Sequence, residues 1–356
     1  MRRITVKYAQ PGLVLELPVY DNYGKLLMAQ HLQLDKVTIG KMLQAGVPEI
    51  FVRDYRVLDV MVAPLFPPEA EGAVANAFRT LVLENQGKPS INPVHLSQAY
   101  SSISRLIGGM AQNLVGDAGV SCNIPLQEYI YLQPVKTAGL SLAVGHKLGM
   151  TVKELAALGT AALLKDIGLS PEVINTADVL SEGGSSRLFG HPLAGCKLLM
   201  PHQLTGEEIA EAVLQHHESW SGRGYPQGLK GKDISRNARI IAIADAFVDL
   251  LAERPTRGRY MPHEAIEFVM ASGGDQFDPE LVESFVRNIP SYPSGLAVQL
   301  NTGEIGIVIN PKRGFVARPV VRVCVIPGKA LKEPYDIDLS IAENQRTLIT
   351  KVLEYD

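Results

Sequence analysis

The spacing of the apolar residues changes its period twice along this chain, and that constrains the fold more than any other feature. Over residues 1–54 the pattern is extended: Val14–Val19 is apolar, Asn22-Tyr23-Gly24 supplies turn chemistry, and Lys25–Met28 resumes the strand pattern. Asp35 is placed to cap a short helix through Leu43, and Gly46 ends it before a strand at Glu49–Val52. From about Ala73 to Asn288 apolar residues recur three and four apart. This predicts helices at Ala75–Glu84, Leu96–Gly108, Val135–Leu148, Val152–Leu164, Glu207–His217, Asn237–Ala252 and Pro279–Asn288. Thr205 with Glu208 reads as a capping box, and Asp278 before Pro279 as a cap ahead of a first-turn proline. Beyond Pro290 the pattern returns to short β-branched strands at Ala297–Leu300, Ile305–Ile309, Val316–Val325 and Ile337–Leu339.

The expected fold is therefore mainly α: an all-helical bundle flanked by small β-rich modules. The boundaries follow the changes of period. Residues 1–62 form the N-terminal module, 63–125 a helical linker region, 126–290 the helical domain and 291–356 the C-terminal module. Gly183-Gly184-Ser185-Ser186 and Ser221–Lys232 read as loops by composition.

Composition excludes several functions. No stretch of 18 apolar residues occurs, so no membrane span is expected, and the basic start Met1-Arg2-Arg3 has no apolar run behind it to make a secretory signal. Three dispersed cysteines exclude a disulfide framework and a thiolate zinc site, and fit a reducing cytoplasm. The net charge of −3 argues against wholesale binding of DNA. Residues 223–259 nevertheless carry a net +4, which suits either a phosphodiester ligand or solvated loops.

The chemistry concentrates in the helical region. His216 and His217 are adjacent, and on a regular helix their side chains point about 100° apart. Both reach one cavity only where the helix ends, and Ser221-Gly222-Arg223-Gly224-Tyr225-Pro226 follows at once. Asp166 closes the apolar helix Leu163-Leu164-Lys165-Asp166, where the helix dipole disfavours an anion unless a cation compensates. Lys165, a nearby arginine or a metal could be that cation. Asp245 lies in the apolar run Ala242–Phe247, and reads equally as a metal ligand or a structural hydrogen-bond anchor.

Gly190-His191-Pro192-Leu193-Ala194-Gly195, His216-His217-Glu218, Gly222–Gly231, Ala238–Asp245, Arg254-Pro255 and Phe277-Asp278-Pro279 together resemble the HD-GYP domain in order and spacing, over roughly Gln127 to Asn288. The resemblance implies a helical HD-type bundle around two or three divalent metals, usually iron, manganese or similar, that hydrolyses cyclic di-GMP to the linear dinucleotide or GMP. Paired cations about 3.5–4 Å apart generate a nucleophile at neutral pH and stabilise in-line displacement. It assigns metal ligation to Asp166, His191, His216, His217 and Asp245, with Asp166 bridging and so serving catalysis. It places Gly224, Tyr225 and Pro226 in the loop that names the family, and Arg254, Arg257 and Tyr225 against the ligand and its phosphates.

Five positions depart from the family pattern. Lys165 replaces the histidine of the HD pair, Gln133 an upstream ligand histidine and Leu169 a phosphate-assisting lysine. Ser221 and Val248 replace aspartates. A protonated lysine has no lone pair. At an effective dielectric near 20, two unit charges about 4 Å apart repel by roughly 4 kcal/mol, and a divalent ion doubles that. Lys165 must therefore turn away, lose its proton or take the place of a metal. The sequence thus reads as a degenerate HD-GYP-type signalling protein that holds one divalent ion rather than two or three. Such a protein would bind cyclic di-GMP or a protein partner, as a monomer or homodimer, with little or no hydrolysis. The alternative reading is an active metal-dependent cyclic di-GMP phosphodiesterase.

Overall fold

The computed structural model describes residues 1–60, 62, 64–110, 124, 128–169, 188–254, 257–310 and 318–353. The chain divides into two compact units. One comprises Met1–Pro68 and Val286–Asp356, and the other Glu69–Gln112 and Cys122–Phe285.

In the first unit, β1 (Arg2–Thr5) pairs antiparallel with β4 (Glu49–Val52), and β2 (Val19–Tyr20) pairs with β3 (Leu26–Met28). Between them α1 (Lys36–Gln44) starts at Asp35, whose carboxylate accepts from the Thr38 amide while the Thr38 hydroxyl meets the Asp35 backbone. The apolar run Val14–Val19 forms a strand only at Val19, and Val14 makes an isolated bridge to Gln33. The C-terminal strands β5 (Ala297–Leu300), β6 (Ile305–Asn310), β7 (Val320–Ile326), β8 (Lys329–Asp338) and β9 (Ile349–Leu353) form one antiparallel sheet in the order β8-β7-β6-β5-β9. The two ends of the chain share a core, in which Val57 and Val60 cluster with Ile307 and Cys324. The Arg3 amide donates to the Gly295 carbonyl at 2.8 Å, and Arg322 bridges Asp59 and Asp336.

The second unit is helical. Its described helices are α2 (Pro68–Asn85), α3 (Pro93–Met110), α4 (Tyr129–Lys147), α5 (Val152–Leu164), α6 (His191–Leu199), α7 (Gly206–Gln215), α8 (Arg236–Leu251), α9 (Pro262–Ala271) and α10 (Pro279–Asn288). The mainly α fold class read from the periodicity holds. A capping box of Thr151 and Glu154 fixes the entry of α5, every residue of which from Leu155 to Leu164 is buried. No described helix is long and apolar enough to cross a membrane.

Two local expectations are corrected. The helix expected to start at Val135 begins at Tyr129 and runs through Pro134, because the buried residues around that proline are held by tertiary packing and the ring removes only one donor. Thr205 makes no capping box: its hydroxyl donates to the Leu199 and His202 carbonyls and closes the preceding turn instead. The polar first half of β8 and the whole of α9 carried no clear periodic signal. Asp278 does cap α10, accepting from the Glu280 amide at 2.9 Å. The loop expected at 183–186 lies outside the described residues, as do Ala63 and residues 316–317.

Candidate functional site

Four elements of the helical unit bring the candidate residues together. Helix α5 ends at Leu164, and the turn after it carries Lys165 and Asp166. This turn lies directly on the start of α6. A Cβ at Gly168 would sit 2.2 Å from the His191 carbonyl oxygen and 2.3 Å from the Gly195 amide, so only glycine permits the approach. Helix α6 opens on His191 with Pro192 in its first turn, and α7 ends at Gln215, so that His216 and His217 leave the helical register as expected.

The result is one cluster of donors. Ligand atoms of Asp166, His191, His216 and His217 all lie within 4.8 Å of one another. Nε2 of His191 is 3.2 Å from Nε2 of His216 and 3.2 Å from Asp166 Oδ1, and His216 Nε2 is 3.7 Å from the same oxygen. His216 Nδ1 lies 2.7 Å from the Val213 carbonyl, which can only accept, so Nδ1 carries the proton and Nε2 the lone pair. Burial lowers the pKa of His216 and pushes His217 well below the usual histidine range, so both are neutral donors. Burial would raise Asp166, but the Lys165 charge beside it outweighs this and holds the carboxyl well below its ordinary value.

These residues fit a transition-metal ion. His191 Nε2 lies 3.2 Å from both the His216 Nε2 lone pair and Asp166 Oδ1, so with its proton there it donates to them, and with Nε2 bare the three atoms offer their lone pairs to one shared cation. Ligand bonds of about 2.0–2.1 Å in a tetrahedron place donors about 3.3 Å apart. A mixed imidazole and carboxylate set suits iron, manganese or zinc.

The neighbouring half of the site is different. Lys165 is buried at 2 % exposure, and its ammonium contacts Asp166 Oδ2 and lies 2.9 Å from Asp245 Oδ1. Burial opposes its charge, but Asp166 and Asp245 outweigh that and hold its pKa above the ordinary lysine value. Gln133, from α4, donates to the same Asp245 oxygen at 2.5 Å. Asp245 is thus bound by a lysine and an amide, and lies outside the four-residue donor cluster.

The loop after His217 closes over the cluster. The Tyr225 ring stacks on His217 with centroids 4.8 Å apart, and Phe189 meets Tyr225 edge-on at 4.8 Å. Burial and then the charges of Asp166 and Asp245 raise the Tyr225 pKa, which keeps the phenol protonated. A Cβ at Gly224 would lie 2.2 Å from the Ser219 amide, so the loop can fold onto the helix end only with glycine there. Glu218, buried at 4 %, accepts from the Gln227 amide at 2.7 Å and the Leu229 amide at 3.0 Å and ties down the far side of the loop around Pro226. The sequence carries Glu218 as the third residue of His216-His217-Glu218, but its role becomes visible only with the loop folded back.

Four arginines of the basic stretch pair with acids of the protein. Arg223 pairs with Asp275, Arg239 with Asp278, and Arg254 and Arg257 both with Asp249. Of the remaining departures, Val248 is fully buried core, Ser221 receives a hydrogen bond from Arg223, and the Leu169 amide closes the turn onto the Asp166 carbonyl.

A family model described as the HD domain matches residues 93–281, more than half of the sequence. The chain belongs to the HD-domain family. A second model, described as a KOW domain associated with HD domain, matches residues 297–356, the region of the five-stranded sheet. Curated relatives of this HD-domain protein include the cyclic di-GMP phosphodiesterase PA4108 of Pseudomonas aeruginosa, 27% identical over 268 residues, with 74% of this chain and 63% of that protein covered. The cyclic di-GMP phosphodiesterase response regulator RpfG of Xanthomonas campestris pv. campestris is 29% identical over 246 residues, covering 65% and 61%. The chain therefore spans less than two thirds of the length of either relative. Among solved structures, Bd1817, a HDG"Y"P protein from Bdellovibrio bacteriovorus, aligns with a TM-score of 0.52 at 16% identity, over 80% of this chain and 97% of that one, and shares the fold.

Proposed function

We propose that this HD-domain protein is a degenerate HD-GYP-type signalling protein that binds cyclic di-GMP or a protein partner with little or no hydrolysis. The observation that carries this reading is the buried Lys165 ammonium between Asp166 and Asp245. The position where the HD-GYP resemblance expects a ligand histidine holds a cation, and Gln133 directs an amide N–H rather than a lone pair at Asp245. Asp166, His191, His216 and His217 would hold one divalent ion, which when bound supplies a localised positive charge for a phosphodiester. A second ion would face the lysine at contact distance, where the repulsion is roughly 8 kcal/mol at an effective dielectric near 20. The paired clamp of in-line phosphodiester cleavage is then missing.

The chain's own groups retain binding chemistry. The Tyr225 phenol remains a donor beside the acidic pair, and the exposed Phe189 ring extends the aromatic column outward from His217. The competing reading, an active phosphodiesterase, rests on the same four donors with Lys165 standing in electrostatically for the missing ion. Calorimetry with cyclic di-GMP and a turnover assay under excess manganese or iron separate the two. Binding without linear product supports the degenerate reading. Efficient release of linear dinucleotide or GMP rejects it.

A further inference from the structure

A polar stripe runs along the buried part of α4. Tyr129, Gln133, Thr137 and Ser141 recur every fourth residue of that helix, and all four are buried. Residues four apart lie on one side of a helix, so the stripe follows one seam of the bundle. At its first two steps α8 supplies the partners. The Tyr129 hydroxyl donates to Asp249 Oδ1 at 2.6 Å, and Gln133 Nε2 donates to Asp245 Oδ1 at 2.5 Å. Asp249 and Asp245 are themselves four apart, so rising numbers on α4 meet falling numbers on α8. The same register sets Thr137 against Ile241 and Ser141 against Asn237. Ile241 has no polar side-chain atom. Thr137 and Ser141 are both 0% exposed, and among the described residues neither hydroxyl has a hydrogen-bond partner, not even a carbonyl of its own helix.

We infer that Thr137 and Ser141 bind one internal water molecule, which bridges their hydroxyls and takes the role that the α8 carboxylates fill for Tyr129 and Gln133. A buried hydroxyl without a partner costs free energy, and interior polar groups that the chain leaves unsatisfied are met by bound water. The helix geometry suits a single molecule. Cβ atoms four residues apart lie about 5–6 Å from each other, and a water bonded to both hydroxyls at about 2.8 Å spans that gap. The seam is then satisfied by protein beside the lysine-bridged acids and by solvent further along α4. Nothing in this site depends on what the donor cluster binds. Thr160 on α5 supplies the contrast. Its hydroxyl is equally buried and has no partner among the described residues, but Ala156, Ala157, Leu163 and Leu164, one turn away on either side, are apolar. It has no second hydroxyl on its own helix with which to share a water.

A high-resolution crystal structure of the full chain tests the site without any substitution. It should show one ordered water within hydrogen-bond distance of both Thr137 Oγ1 and Ser141 Oγ. Hydroxyls with no water between them, or each turned to a separate protein acceptor, would overturn the inference. Amide hydrogen exchange then reads what the water contributes. Thr137→Val keeps the side-chain shape and removes one anchor, and the slowest α4 amides should exchange about fivefold faster than in the parent. Ser141→Ala should act similarly. The double variant should accelerate exchange by less than the product of the two single effects, because one water is lost only once. Thr160→Val should leave exchange in α5 no faster. Unchanged or slower α4 exchange in Thr137→Val would mean that its hydroxyl has no partner in the parent either, and would contradict the bound water. Fully multiplicative effects would give each hydroxyl its own partner and reject the shared one.

Discussion

Asp166 stands between two half-sites built from the same kinds of helix end, and they solve the same electrostatic problem differently. On one side its Oδ1 faces the Nε2 atoms of His191 and His216, the second of which presents a lone pair, in a cluster with the composition of a metal site. On the other its Oδ2 faces the Lys165 ammonium, a cation that the chain itself provides. The first half has the donor set of a metal site, whereas in the second the Lys165 ammonium already pairs with both carboxylates.

Breaking the lysine half should have the largest effect. Lys165→Met leaves Asp166 and Asp245 as adjacent, largely buried carboxylates, and removing one partner of a buried ion pair costs about 3–5 kcal/mol. Chemical denaturation of the metal-free protein should show that loss. Wild-type stability in the variant would mean that the ion pair is not formed.

Breaking the donor half should act on metal rather than on folding. His216→Ala removes the imidazole held by the Val213 carbonyl, and metal affinity should fall by a hundredfold or more while the metal-free protein keeps most of its stability. Competition with a chromophoric chelator reads this directly.

Converting one half into the other sharpens the contrast. Lys165→His combined with Gln133→His replaces a cation and an amide by two lone-pair donors facing Asp245. Metal content should rise by about one ion per chain, and hydrolysis of cyclic di-GMP should increase from its basal level.

The smallest effect is expected at the loop that covers both halves. Glu218→Gln keeps an acceptor but loses the charge that holds the Gln227 and Leu229 amides, and should lower stability by about 1–2 kcal/mol. Thermal unfolding measures the cost. A loss of bound metal equal to that of His216→Ala would show that the loop, not the donors, controls the site.

Much of this was legible in the sequence where a signal was local. Helices α5 and α10 start and end where the apolar period does, whereas the close approaches at Gly168 and Gly224 became visible only in the folded chain. The four clustered donors were named through the HD-GYP resemblance, which pointed to them together with Asp245. Other features were set by tertiary contacts. Pro134 masked the start of α4, and the exposed polar residues of β8 carry no alternation because that strand lies at a sheet edge. Asp245 could be read equally as ligand or anchor, and only the folded chain shows Lys165 and Gln133 on the same oxygen. Tyr129 and Asp249 are 120 residues apart and met no motif.

The most direct test of a site with one metal half and one lysine half is the metal stoichiometry of the full chain, purified without chelators and measured by elemental analysis against protein concentration. The account predicts no more than one transition-metal ion per chain, lost in His216→Ala. Two or more ions per chain in the wild type, with Lys165 in place, would contradict it.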